Sequence, residues 1–151
     1  MSTDWIIDTG DARDLPALQP LLAAADLPPD ELEAVLPDGL LVARAGGRLV
    51  GAVALQPAGD HGLLRSLVVD PAWRGRGLGV ALVDALETLA SDRGLRALYL
   101  LTETAGEFFP RHGYVPADRA RVPAAVAATA EFRSVCPGSA ACLAKPLRSG
   151  D

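Results

Sequence analysis

A glycine-rich turn between a strand-like segment and a helix-like segment constrains the fold more than any other feature of this chain. Residues 63–69 read Leu-Leu-Arg-Ser-Leu-Val-Val, an apolar run typical of a buried strand. The turn occupies residues 74–79. From Leu78 onward, apolar residues recur at helical spacing until Gly94 provides a stop signal. The spacing therefore predicts a strand, a turn and a long helix in immediate succession.

The turn has the chemistry of an anion-binding site. The first N–H groups of a helix have no partner inside the helix and lie at its positive end. Gly75, Gly77 and Gly79 lack Cβ atoms, so an anionic group can approach the backbone. Arg74 and Arg76 add positive charge at the same place. Together these features predict a site for a pyrophosphate group.

Two common phosphate motifs do not fit this turn. A Walker loop ends in Gly-Lys-Ser/Thr, whereas the only lysine of this chain is Lys145, far downstream. A dinucleotide turn needs G-x-G-x-x-G/A, but the sixth position is Val80 when counted from Gly75 and Leu82 when counted from Gly77. The pattern that does fit is Arg-x-x-Gly-x-Gly.

The rest of the chain shows alternating strand and helix signals. Asp11 or Asp14 is expected to cap a first helix that Pro20 weakens, and Gly46-Gly47 is expected to form the turn of a hairpin. Pro110 requires the helix around it to be short or kinked. The other predicted elements are strands at 5–8, 97–102 and 140–144, a short helix at 28–36, a loop at 57–62, a helix capped by Thr104 and Glu107, and a helical segment at 122–132.

The glycine pattern resembles the acetyl-CoA loop of the GNAT acetyltransferase superfamily, which has the form Gln/Arg-x-x-Gly-x-Gly/Ala. The resemblance extends upstream to residues 67–73 and downstream to residues 105–114, which look like the family segment A-x-x-x-Y-x-x-x-G-F/Y. It implies a single GNAT-like α/β domain over residues 1–151, with a mixed, mostly antiparallel central sheet, splayed middle strands and helices on both faces. It also implies an acetyl-CoA-dependent N-acetyltransferase, with acetyl-CoA as co-substrate and no metal.

The resemblance further implies where the cofactor lies. Backbone groups of the strand before the turn would pair with pantetheine as if it were an added strand, and the turn would hold the pyrophosphate. The predicted cofactor-binding residues are Leu67, Val68, Val69, Arg74, Gly75, Arg76, Gly77, Leu78, Gly79 and Val80.

The chain departs from the family at the position of the catalytic acid. Many members place a tyrosine five residues before the final aromatic, which is Tyr114 here, to protonate the CoA thiolate. In this chain that position is Phe109, which cannot donate a proton. Three explanations stay open: another group serves, the thiolate leaves unprotonated, or the chain is not a catalyst.

Glu103 is the candidate general base. It follows a predicted buried strand and precedes the expected helix cap, and the resemblance places it at the end of the strand that lines the splay. The acceptor amine must be neutral when it attacks, so some group must accept a proton. The alternative is an exposed carboxylate near a helix start, which is itself mildly favourable.

The C-terminal segment narrows the resemblance to one subgroup of the family. Residues 129–140, together with 101–105, are similar to the subgroup of arsenic-resistance N-acetyltransferases, which is itself similar to amino-acid N-acetyltransferases. The subgroup implies an acceptor with an α-amino group and a carboxylate or similar anion, which a guanidinium or hydroxyl would bind. For the arginines, the alternative is a surface side chain with no special role. The predicted substrate-binding residues are Arg65, Thr102, Arg133 and Ser139.

Composition sets the remaining expectations. A chain of 151 residues is long enough for one core, and a net charge of −5 argues against nucleic acid as a partner. The sequence has no membrane-spanning apolar run and no signal-peptide pattern. Because the chain has only two cysteines, a reduced, cytoplasmic setting is expected. Cys136 and Cys142, distant from the two histidines, make no zinc pattern.

Three functions follow from these observations. The leading hypothesis is the acetylation of a small primary amine by direct attack on the thioester, with no nucleic acid or membrane partner and a homodimer left open. A non-catalytic acyl-CoA-binding or sensing module is the second, and Phe109 favours it. A protein N-acetyltransferase is the third, and it would need an open acceptor cleft.

Overall fold

Seven described strands form one mixed sheet in the computed structural model, which describes residues 5–24, 35, 39–102, 108–129, 132–133 and 141–147. The strands lie in the order β1-β2-β3-β4-β5-β7-β6. The pairs β1–β2, β2–β3, β5–β7 and β6–β7 are antiparallel, whereas β4–β5 is parallel. The predicted α/β class with a mixed, mostly antiparallel sheet is therefore confirmed. The strands are β1 (Ile6–Thr9), β2 (Leu40–Ala45), β3 (Arg48–Ala58), β4 (His61–Val69), β5 (Ala97–Thr102), β6 (Val115–Pro116) and β7 (Ala141–Pro146).

Four described helices accompany the strands: α1 (Leu15–Ala24), α2 (Leu78–Asp92), α3 (Phe108–Arg111) and α4 (Ala124–Ala127). A short 3₁₀ turn precedes α1, and Asp11 and Asp14 cap it reciprocally in a capping box. Pro20 lies inside α1 without ending it. The chain leaves α2 through Gly94, whose φ of +77° is readily adopted only by glycine. No helix among the described residues has the length and apolar character needed to cross a bilayer.

The chain divides into two compact units. The first comprises Met1–Gln56 and Leu64–Thr88, and its core packs α1 against β2, β3 and β4. The second comprises Pro57–Leu63 and Leu89–Asp151. Its core contains Ala58, Leu63, Val126, Phe132 and Cys142.

Several element boundaries differ from the sequence predictions. The loop expected at 57–62 shrinks to two residues, because β3 continues to Ala58 and Gly59, at a φ of +65°, turns the chain directly into β4. In the described part of the helical segment expected at 122–132, residues 124–127 form the short α4, which begins after Pro123, and Phe132 is also helical. Strand β6 was not predicted, since it has only two residues and exists through pairing with β7. The helix at 28–36, apart from residue 35, and the Thr104–Glu107 cap lie outside the described residues.

Candidate functional site

The turn between β4 and α2 owes its shape to two glycines with left-handed backbone. Gly75 has a φ of +78° and Gly77 a φ of +85°, and a Cβ built at either position would meet no heavy atom within 4 Å. Backbone conformation rather than lack of space therefore requires glycine there. The Gly77 carbonyl accepts the Ala81 N–H at 3.0 Å, so the N–H groups of residues 78–80 remain at the helix start without partners inside the helix. The predicted strand, turn and helix are confirmed.

Asp70 anchors the beginning of the turn to the sheet. Its N–H donates to the Val50 carbonyl on β3 at 2.8 Å, and its side chain accepts the Ala72 N–H at 2.9 Å. Its carbonyl accepts the Trp73 N–H at 2.8 Å, which closes a short 3₁₀ turn. The side chain of Arg48 lies 3.5 Å from the Asp70 carboxylate. Hydrogen bonds on both sides of Asp70 thus hold the turn in place.

Gly51 on β3 sets how closely α2 approaches the sheet. A Cβ at this position would lie 3.1 Å from the Val68 carbonyl oxygen and 3.2 Å from methyl carbons of both Leu78 and Leu82. Leu78 and Leu82 are buried, so they fasten the first turns of α2 to the core. Sequence reasoning assigned no role to Gly51, because its importance arises from contacts with distant parts of the chain.

Both arginines of the turn have contacts that restrict them. The Arg74 Nε donates to the Val69 carbonyl at 3.4 Å. The Arg76 guanidinium carbon lies 4.6 Å from the centre of the Trp73 ring, a cation–π contact. Trp5 meets Trp73 edge-on, with ring centres 6.3 Å apart and planes at 71°. The arginines are exposed. They therefore present their charge at the helix start.

Strand β4 carries an unusual backbone conformation in its middle. Ser66 has a φ of +60°, and among the described residues it is the only one other than glycine with positive φ. This conformation costs about 1–2 kcal/mol for an L-residue. Strand β4 pairs with β5 through Gly62 with Leu98 and Leu63 with Tyr99. The predicted pantetheine segment, residues 67–69, lies beyond both this ladder and the Ser66 kink.

The predicted substrate-binding residues lie in different surroundings. Arg65 on β4 is 7% exposed and donates to the Gln56 side-chain oxygen at 2.7 Å, so the alternative of a surface arginine is wrong for this position. Arg133 is exposed, and its N–H donates to the Thr129 carbonyl at 3.0 Å. Thr102 is the half-buried last residue of β5. Two predicted residues, Ser139 and the candidate base Glu103, lie outside the described residues.

Phe109, at the position of the family tyrosine, belongs to an aromatic cluster. Its ring meets Phe108 and Tyr114 edge-on, with ring centres 5.1 and 5.4 Å apart. Tyr114 is 1% exposed, so its ring packs in the interior. The His112 ring stacks on Phe108, and its Nδ1 lies 2.6 Å from the Phe108 carbonyl oxygen. These ring contacts pack α3 in place. The side chain at position 109 has no proton to donate.

Two further observations concern metal and thiol chemistry. In the part of the chain that the structure describes, no three His, Cys, Asp or Glu side chains cluster in a way that could hold a metal ion. Cys142 is buried, and burial raises the pKa of its thiol. This thiol therefore stays protonated and unreactive at neutral pH.

Comparison with known proteins adds a family and named relatives. A model of the Acetyltransferase (GNAT) family matches residues 11–114. An amino-acid acetyltransferase of Mycobacterium tuberculosis is 43% identical over 82 residues, which are 53% of this chain and 46% of that protein. An amino-acid acetyltransferase of Pseudomonas putida is 33% identical over 89 residues, which are 58% of this chain and 21% of that protein. The matched segment thus spans less than half the length of these curated relatives.

Solved structures share the fold. The Mycobacterium tuberculosis protein Rv2747, solved in complex with CoA and NLQ, has a TM-score of 0.79 and 26% identity; the match covers 95% of this chain and 99% of that one. N-acetylglutamate synthase from Neisseria gonorrhoeae, solved with CoA and N-acetyl-glutamate, has a TM-score of 0.84 and 22% identity; the match covers 98% of this chain and 36% of that one.

Proposed function

The chain belongs to the GNAT acetyltransferase family, as its glycine pattern predicted, and from this premise we propose that it acetylates a small, amino-acid-like amine with acetyl-CoA. The observation that carries the proposal is the turn at 74–79. It combines two glycines with left-handed backbone conformation, the start of the long helix α2 and two exposed arginines. The names of the curated relatives support an amino acid as the acceptor.

In this proposal the turn binds the pyrophosphate of acetyl-CoA. The N–H groups of residues 78–80 point away from the helix at its positive end, and Arg74 and Arg76 add charge. Leu78 contributes only its backbone, because its side chain is 1% exposed and packs in the core. Pantetheine would extend along residues 67–69, where backbone groups pair with its amides.

The proposed reaction is a direct transfer without an acyl-enzyme. The neutral amine attacks the thioester carbonyl, a C–N bond forms, and the C–S bond breaks to release the CoA thiolate. A backbone N–H of the strand at 67–69 would polarise the carbonyl. Glu103 would accept the proton that the amine loses, directly or through a water molecule. Because Phe109 donates no proton, the thiolate would leave as the anion or take its proton from another group.

Arg65 is the proposed anchor for the acceptor's carboxylate. This residue is 7% exposed, and its guanidinium donates to the Gln56 side-chain oxygen at 2.7 Å, which orients the fork. A charge held in a dry environment recognises an anion strongly, and the fork of a guanidinium matches a carboxylate. Thr102, Arg133 and Ser139 are the further candidates for contacts with the acceptor.

A second candidate function rests on the aromatic cluster. Phe109 packs edge-on against Phe108 and Tyr114, where a family acid would stand, and a binding module without catalysis would tolerate this replacement. A protein N-acetyltransferase is the third candidate.

One experiment separates these functions. The purified protein is incubated with acetyl-CoA and a panel of amino acids, polyamines, antibiotics, arsenical amino-acid analogues and peptides, and free CoA thiol is measured. We expect release that depends on the presence of an amino acid. Release with peptides alone would indicate a protein acetyltransferase, and CoA binding without release from any acceptor would indicate a binding module. Release with the arsenical analogues alone would support the arsenic-resistance subgroup.

A further inference from the structure

A tryptophan and an arginine form a stacked pair beside the pyrophosphate turn. Trp73 precedes the turn, and the Arg76 guanidinium lies over its ring, 4.6 Å from the ring centre. Trp73 is half-buried and fixed through its backbone, since its N–H donates to the Asp70 carbonyl at 2.8 Å. The Trp73 ring therefore restricts the Arg76 side chain, which is otherwise exposed to solvent.

A second tryptophan also contacts Trp73. Trp5, which precedes β1, meets Trp73 at an interplanar angle of 71° with ring centres 6.3 Å apart. Trp73 thus contacts both Trp5 and Arg76, and all three residues belong to the first compact unit. These are the only two tryptophans of the chain.

A stacked guanidinium binds phosphate better than a mobile one. An exposed arginine loses rotamer freedom when it closes on an anion, and this loss weakens binding. Contact with an aromatic face restricts the arginine beforehand, and the delocalised cation is attracted to the ring. Contact with the Trp73 ring therefore orders the Arg76 side chain before a ligand binds at the start of α2.

We propose that Trp73 is a positioning residue that holds Arg76 at the turn for the pyrophosphate of CoA, with Trp5 packed edge-on against Trp73. This inference rests on the proposed function, because it takes CoA as the ligand of the turn. It extends that function by assigning part of the cofactor affinity to a residue outside the glycine pattern.

Calorimetric titration with CoA tests the proposal in a double-mutant cycle. We expect Arg76→Gln to raise the Kd about tenfold and Trp73→Leu to raise it about fivefold. The double variant should be no weaker than Arg76→Gln alone, because Trp73 acts through Arg76. Trp73→Tyr, which keeps an aromatic face, should restore affinity to within about twofold of the original protein. Arg93→Gln, which removes the same charge just after the other end of α2, is the matched control and should leave Kd unchanged.

The same variants titrated with 3′-dephospho-CoA identify the phosphate involved. The loss of affinity in Trp73→Leu should be equal for both ligands, and a loss confined to CoA would overturn the pyrophosphate assignment. Additive losses in the double variant, or no loss in Trp73→Leu, would overturn the positioning role while leaving the proposed function intact. Failure of the unaltered protein to bind CoA would instead refute the proposed function, and this inference with it.

Discussion

Arg65 and Gln56 are joined across neighbouring strands by a 2.7 Å hydrogen bond from the guanidinium to the amide oxygen. The arginine is 7% exposed, so its charge has left bulk water for a less polar environment. Burial of a charge is costly unless hydrogen bonds or an opposite charge compensate it, and the Gln56 oxygen supplies one such hydrogen bond. An anion held by this arginine would also compensate its burial.

The first prediction concerns this arginine. Arg65→Met keeps much of the side-chain volume and removes the charge, so KM for the amino-acid acceptor should rise at least about tenfold. The Kd for CoA should not change. Steady-state kinetics and calorimetry measure the two quantities, and thermal melting verifies the fold. The matched change Arg133→Met removes an exposed arginine. A larger rise in KM for this variant than for Arg65→Met would assign the anchoring role to Arg133 instead.

The second prediction concerns the glycine at the helix start. Gly77→Asp should weaken CoA binding at least about 100-fold, because a carboxylate would occupy the place of the pyrophosphate and repel it. Asn and Asp tolerate positive φ better than other residues, and both can cap a helix, so the fold should survive. Gly77→Asn is the matched control without charge. Equal CoA affinities in the Asp and Asn variants would contradict the assignment of the turn.

The third prediction concerns Phe109. Its ring packs against Tyr114 and cannot donate a proton, so Phe109→Leu should lower kcat by less than about tenfold. Phe109→Tyr should fold normally and raise kcat if protonation of the thiolate limits turnover. A kcat loss near 10⁴-fold in a stable Phe109→Leu variant with normal CoA affinity would show that this position takes part in the chemistry.

The fourth prediction concerns Glu103, which sequence reasoning alone identifies. Glu103→Gln keeps the shape but removes the basic site, so kcat should fall roughly 100-fold or more at neutral pH with little change in CoA affinity. The acid limb of the rate profile should change as well, since the titrating group is gone. A rise in KM alone would show that Glu103 binds the acceptor's ammonium instead, and unchanged kcat and KM would remove it from the site.

The fifth prediction concerns stability at low pH. The Asp14 carboxylate lies 2.8 Å from the Arg44 guanidinium and is 10% exposed, and the hydrogen bond from Arg44 holds the pKa of Asp14 below its usual value. Its folded pKa lies below its unfolded value near 3.9, so this stabilisation is present above about pH 4. It is lost as the pH falls through the folded pKa. Asp14→Asn should reduce the free energy of unfolding by about 1–2 kcal/mol at pH 7.

Denaturant unfolding at pH 7 and pH 3 measures this effect. The difference between the original protein and the Asn variant should shrink at the lower pH, because pH 3 lies below the unfolded pKa of the Asp14 carboxyl and the stabilisation declines from there towards the folded pKa. A difference that stays constant over this range would show that Asp14 stabilises the fold by shape and not by charge.

The sequence by itself determined the local architecture of the cofactor turn. Apolar spacing in α2, the stop at Gly94 and the glycines of the turn are signals carried by neighbouring residues, and the structure confirms each element. The hairpin at Gly46-Gly47 was recognised for the same reason, since turn chemistry depends on a few consecutive residues. The resemblance to the family rested on the same contiguous pattern.

Only the tertiary structure decided which distant side chains meet. Trp5 reaches Trp73, and Arg65 reaches Gln56, through the arrangement of strands in the sheet, which no local spacing encodes. The positive φ of Ser66 could not be predicted from the sequence, because serine shows no preference for this conformation. The surrounding structure must impose it. Periodicity and turn chemistry act over a few residues, whereas burial, stacking and strain depend on the whole set of long-range contacts that folding creates.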